Sequence, residues 1–185
     1  MPNWCSNIAE ISNDDVSKID AIENFLKEFD ANEDQNKTGL LQFLIPNPTG
    51  EWDYGWSVDN WGTKWDIQLY EWERKSENTI FLNFDSAWSP PIAAYDTLTE
   101  EGYEVHANYL EEGMGFVGMH SEGFDESYEF DYENVDLLDD IPEDVMDPWN
   151  LRERIEEEIE MQKEFTEESD DEIEASDEEQ EDLNK

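Results

Sequence analysis

The chain has 185 residues and sets 52 Asp and Glu against 10 Lys and Arg, a formal charge of −42. That charge disfavours direct contact with duplex nucleic acid or an anionic membrane, both of which are themselves negative. Aromatic residues make up 13% of the chain, with eight Trp, too many for a wholly disordered acidic protein, and the single Cys5 excludes an intrachain disulfide framework.

In chain order, Cys5 to Ile11 reads as a first strand closed by Ser12 and Asn13. Ser12 or Asn13 then caps a helix whose first turn carries Asp14 and Asp15, favourable beside the helix dipole. Val16, Ile19, Ile22, Leu26 and Phe29 recur at spacings of three and four, which predicts one inward face. Leu40 to Ile45 is a short apolar run stopped by Pro46 and Pro48, read as a buried strand. Thr49 to Thr63, rich in Gly, Asp and Trp, reads as a long connection. Strands follow at Trp65 to Glu73 and Thr79 to Phe84, joined by the turn Arg74 to Asn78. Ser89-Pro90-Pro91 predicts a serine-capped helix with Ile92, Tyr95 and Leu98 facing inward and Gly102 as its stop. Glu104 to Leu110 and Phe116 to His120 read as two further strands. The simplest packing is an α+β sandwich, an antiparallel sheet with the helices on one face.

Charge and aromatics divide the chain. Residues 1–120 carry 23 acidic and 6 basic side chains, residues 121–185 carry 29 and 4, and seven of the eight Trp lie before residue 90. The expected organisation is a sandwich domain over residues 1–134, an acidic helical extension over 135–166, and a disordered acidic tail over 167–185. In the extension, Leu151, Ile155 and Ile159 recur every fourth residue, predicting a helix from about Pro148 to Phe165 with a narrow apolar stripe. Arg152 with Glu156 and Arg154 with Glu158 are potential helix-face pairs. No run of about 18 apolar residues is present, so no membrane span is expected. Met1 to Glu10 lacks the basic and apolar stretches of a signal peptide, so a cytoplasmic protein is expected.

Four blocks carry a resemblance: Met1-Pro2-Asn3-Trp4-Cys5-Ser6-Asn7, Asn60-Trp61-Gly62-Thr63-Lys64-Trp65-Asp66, Ala87-Trp88-Ser89-Pro90-Pro91 and Gly113-Met114-Gly115-Phe116-Val117-Gly118. In this order they resemble the YubB-type ferredoxin-like domain family of phages and mobile elements, over residues 1 to about 120. The resemblance implies a ferredoxin-like sandwich and no established reaction.

Catalytic chemistry finds little support in the residues. Cys5, His106 and His120 are the only Cys and His, too few and too scattered for a structural zinc site, and neither a phosphate-cradling loop nor a calcium loop occurs. Cys5 with a histidine reads as a nucleophile and base only if the thiol is accessible, and its strand position points to a buried one. No enzyme activity, metal or cofactor is therefore expected. The cluster Trp61, Lys64, Trp65 and Trp88 has two readings, core packing of a long loop or a stacking platform, with Lys64 placed for a cation–π contact.

The sharpest functional candidate is the acidic surface. Tyr128, Phe130 and Tyr132 alternate with Glu129, Asp131 and Glu133, the period of a strand, so Asp125 to Glu133 is expected to display carboxylates about 6.7 Å apart. Asp125, Glu126, Glu129, Asp131, Glu133, Asp136, Asp139 and Asp140 are the candidate partner-binding residues. The expected partner is a basic host protein, nucleic-acid-binding, whose groove the chain blocks as a nucleic-acid mimic. An acidic adaptor that recruits a basic partner without mimicry is the alternative. A homodimer that completes the array across a two-fold axis is compatible with either.

Overall fold

The computed structural model describes residues 3–32, 38–162 and 165. The chain divides into two compact units, Met1–Glu129 and Phe130–Lys185. The division falls just ahead of the boundary expected at residue 134. The tail expected over 167–185 lies outside the described residues.

In the first unit the elements run β1 (Trp4–Ser12), α1 (Val16–Ala31), α2 (Leu40–Leu44), α3 (Tyr54–Trp61), β2 (Gln68–Ser76), β3 (Thr79–Ala87), α4 (Ile92–Glu100), β4 (Glu104–Glu111), β5 (Phe116–Ser121) and β6 (Phe124–Glu129). The strands form one antiparallel sheet in the order β2-β3-β1-β4-β5-β6. The fold is therefore α+β. Central β1 pairs Ala9 with Leu82 on one side and with Ala107 on the other. Alternation then places Ala9, Ile11, Ile80, Leu82, Phe84, Val105 and Ala107 on one face, where they join Ile19, Ile22 and Leu26 of α1 and Ala94, Tyr95 and Leu98 of α4 in a single core. Each large aliphatic side chain closed off there contributes about 1.5–3 kcal/mol. Among the described residues no helix is long and apolar enough to cross a membrane.

Several local readings are corrected. Leu40–Leu44 is a helix rather than a buried strand, because Asp66 accepts the backbone N–H groups of Leu41 (3.0 Å) and Gln42 (2.8 Å) and so caps it from a distant part of the chain. Inside the supposed connection Thr49 to Thr63 lies α3, started by Asp53 accepting from Trp56 N–H at 2.7 Å and stopped by Gly62 at φ 79°. Asp15, rather than Ser12 or Asn13, caps α1 by accepting from Ser17 N–H. Ser89 does not cap α4; its hydroxyl donates to Gly62 O at 2.9 Å and the helix begins after Pro91. Strand β2 starts at Gln68 and continues to Ser76, so most of the expected turn from Arg74 is still strand.

In the second unit an isolated antiparallel bridge joins Asp131 to Asn134, and a 3-10 turn spans Val135–Asp140. Helix α5 (Glu143–Met146) and a second 3-10 turn (Asp147–Trp149) lead into α6, residues 151–162. Leu151 and Ile155 are fully buried and Ile159 half-buried, the stripe that the four-residue spacing predicts. Pro148 sits in the preceding turn rather than in the helix. Arg152 reaches back to Asp139 (3.1 Å) and to Leu138 O (3.0 Å).

Candidate functional site

The four sequence blocks converge at one end of the first unit's sheet. Trp4 opens β1 opposite Ala87, the last residue of β3. The Thr63 hydroxyl donates to Ala87 O (3.1 Å) and accepts from Ala87 N–H (3.0 Å), tying the segment after α3 to the end of β3. Trp88 N–H donates to Asn3 O at 2.9 Å. The β4–β5 turn closes the group, for a Cβ on Gly113 would stand 2.5 Å from Asn3 Nδ2. Glu111, itself buried, accepts the N–H groups of Gly113 and Met114 and fixes that turn.

At this junction the Lys64 ammonium lies 4.4 Å from the Trp65 ring centre and 4.8 Å from that of Trp88. Trp4 tilts against Trp65 with 6.3 Å between ring centres, and Trp52 Nε1–H donates to Lys64 O at 3.0 Å. Trp4 and Trp88 are each 40% exposed and Trp52 59%. Trp88 holds φ 73°, a left-handed backbone that is unusual and strained for a bulky side chain. Trp61, by contrast, is buried, donates Nε1–H to Ile45 O at 2.9 Å and meets Trp56 edge-on. Trp72 donates to Asp30 of α1 at 2.7 Å. The sequence cluster thus divides, Trp61 in the core, Lys64 and Trp65 half-buried and Trp88 exposed.

The acidic candidates are not displayed as one row. Strand β6 ends at Glu129, and the alternation read through Glu133 is broken by a turn. Asp131 accepts from Glu133 N–H (2.9 Å) and Asn134 from Asp136 N–H (3.1 Å), local bonds that Asp and Asn offer in competition with a strand ladder. Phe130 is buried and Tyr132 packs edge-on against it. Within β6, Asp125 lies opposite His120 and accepts from the Tyr109 hydroxyl at 3.0 Å, and desolvation raises its carboxyl above the usual range. Glu126 points to the other face and accepts from Tyr128, while Glu129 is exposed. In the second unit Asp131, Glu133, Asp136 and Asp140 are exposed and Asp139 is paired with Arg152.

A different set of acids is ordered by the sheet. Glu10, Glu71, Glu73, Glu104 and Glu126 are exposed on the face opposite α1 and α4. Glu73 and Glu10 flank Phe81 in one register line. Lys75 pairs with Glu73, and Glu10 and Glu71 also help to raise its ammonium above the usual value. Strand spacing puts successive acids about 6.7 Å apart along β2 and about 9.6 Å apart across two strands. The signal for Glu10 and Glu104 was the plain alternation of β1 and β4, whereas β2 shifts register between Leu69 and Glu71.

Behind the opposite face lies a buried polar group. Asn7 donates to Cys5 O (2.7 Å) and to Ser86 Oγ (2.8 Å), and Tyr95 donates to Asn7 Oδ1 at 3.4 Å. His120 is fully buried, 5.2 Å from the Tyr95 ring, and neither ring nitrogen has a hydrogen-bond partner among the described residues. Burial of Cys5, followed by the Glu111 charge, pushes its thiol far up, the reverse of what a nucleophile needs. Among the described residues no group of three or more His, Cys, Asp or Glu is placed to hold a metal ion.

No family model and no curated protein matches the chain. A solved structure that does match is that of a protein api92 from Yersinia pseudotuberculosis, of the family DUF1281, with 11% identity, covering 71% of this chain and 99% of that one at a TM-score of 0.42. A likeness of that degree carries no argument about activity.

Proposed function

We propose that the chain is a non-catalytic acidic binding protein with a ferredoxin-like body, which covers a basic nucleic-acid-binding surface on another protein and competes there with the nucleic acid. The ferredoxin-like reading is supported by the connectivity β1-α1-β2-β3-α4-β4, with the short helices α2 and α3 inserted between α1 and β2, and by the strand order β2-β3-β1-β4, to which β5 and β6 add a hairpin. The observation that carries the functional reading is the set Glu10, Glu71, Glu73, Glu104 and Glu126, held exposed on paired strands. Carboxylates fixed on a sheet lose little freedom on binding, and a basic groove exchanges its counterions for them much as it does for phosphates. The net charge of −42 draws such a partner in from a distance. A phage or mobile-element origin, with a host defence protein as the partner, rests on the block resemblance alone.

The test is a capture from lysate on the immobilised chain, eluted by salt and, separately, by added DNA or RNA. The reading predicts a stoichiometric nucleic-acid-binding protein that nucleic acid displaces. A partner released by salt and indifferent to nucleic acid would replace mimicry by the adaptor reading.

A further inference from the structure

We propose that Lys64, Trp65 and Trp88, with Trp4 and Trp52 beside them, form a binding site for a small planar anion, a nucleobase bearing a phosphate. The site lies at the Trp4 end of β1 and uses none of the five acids Glu10, Glu71, Glu73, Glu104 and Glu126.

The first support is an unspent charge. Acids outnumber bases 52 to 10, and among the described basic residues Lys27, Arg74, Lys75 and Arg152 pair with carboxylates, Lys18 donates to Glu101 O and Arg154 is also engaged. Among the described residues the Lys64 ammonium meets only the faces of two indoles. A cation kept clear of carboxylates in so acidic a chain is left with its hydrogen-bonding capacity for an incoming anion. The second support is exposed aromatic area held in a fixed pose. Trp88 is kept in its left-handed conformation by its bond to Asn3 and by the two bonds between Thr63 and Ala87, so its backbone is anchored where the ring emerges. Backbone strain of this kind collects at ligand clamps. The third is convergence, because segments from the start of β1, the end of α3, the end of β3 and the β4–β5 turn meet here.

The class of ligand follows from what each part recognises. An indole face stacks on any nucleobase, and an ammonium takes a phosphate. An external cation would be repelled by the Lys64 ammonium, which covers one face of each ring, while Trp88 stays 40% exposed and keeps surface for a base. A long nucleic-acid strand would bring many phosphates against the acidic chain, whereas with screening over about 8 Å a mononucleotide meets only the nearest charges. The structure thus points to a weak site, with a Kd on the order of 1 mM.

The full chain is titrated with AMP, adenosine, inorganic phosphate, a short single-stranded oligonucleotide and tetramethylammonium, following the indole Nε1–H signals by NMR. AMP is expected to shift the Trp88 and Trp65 signals and to bind about tenfold tighter than adenosine, with phosphate alone weaker still. Lys64→Gln should bring AMP down to the adenosine level while Lys64→Arg keeps the difference. Trp88→Gly, which suits the positive φ, should remove binding of both without unfolding the chain. Absence of shifts up to about 10 mM AMP, equal affinity for AMP and adenosine, tighter binding of the oligonucleotide, or preference for tetramethylammonium would each overturn the proposal.

Discussion

Replacing Asp66 by Ala tests why Leu40–Leu44 is helical. The half-buried carboxylate accepts from Leu41 N–H at 3.0 Å, Gln42 N–H at 2.8 Å and its neighbour Ile67 N–H at 2.9 Å. Hydrogen bonds to a charged acceptor are worth about 1.5–3 kcal/mol each, and loss of a helix cap costs about 0.5–2 kcal/mol. Because the Ile67 bond is local and water can reach part of α2, the net cost is placed at about 3 kcal/mol, near the lower end for two bonds. For a chain of this length that lowers Tm by about 6–12 °C. Asp66→Asn, which keeps one acceptor oxygen, should cost about a third as much. Gly39→Ala is an independent route to the same loss, since its Cβ would lie 2.2 Å from Asp66 Cγ. The assay is thermal and urea unfolding followed by tryptophan fluorescence, which reports mainly on the first unit, where seven of the eight Trp lie. A Tm for Asp66→Ala within about 2 °C of the parent would refute the capping argument.

Two further outcomes are expected. Burial lowers the His120 pKa below its ordinary value, so the unfolded chain takes up a proton that the folded chain refuses. Its contribution to stability is present above the unfolded pKa of about 6.5 and is lost as pH falls through that value toward the folded one. Subtracting the urea stability of a His120→Phe variant from that of the parent at each pH removes the carboxylate background, and the difference should decline from about pH 7.5 to 5.5 (roughly one unit either side of the unfolded value); a flat difference would show His120 charging freely in the fold. Cys5 should resist thiol reagents in the native chain and react fully in denaturant, because it is fully buried with its thiol pushed up. Rapid native labelling would contradict that placement.

Much of the first unit is legible in the sequence because its periodicities are clean. The three- and four-residue spacing from Val16 to Phe29 gives α1, and the alternation around Ile80, Leu82 and Phe84 gives β3. Where a distant side chain decides, local reading fails: the apolar run Leu40 to Leu44 suits a strand or a helix, and Asp66 selects the helix. Helix α3 was readable, with Asp53 as its cap and Gly62 as its stop, but the density of Trp and Gly masked it. At the acidic candidates, alternation from Tyr128 to Glu133 is equally compatible with a turn, and the self-bonding of Asp131 and Asn134 turns the chain. Lys64, Trp65 and Trp88 were marked by the sequence blocks, yet only their burial separates them from Trp61.

The central claim is that the ordered carboxylates of the sheet face make the specific contact. It is tested most directly by measuring affinity of the captured nucleic-acid-binding partner for the parent chain and for a Glu10→Gln, Glu71→Gln, Glu73→Gln triple variant, each across a salt series. The account predicts at least tenfold weaker binding for the variant, a slope of log affinity on log salt reduced by about 2–3, and weaker competition with nucleic acid. Unchanged affinity, or an equal loss from neutralising Glu129, Asp131 and Glu133 instead, would contradict it.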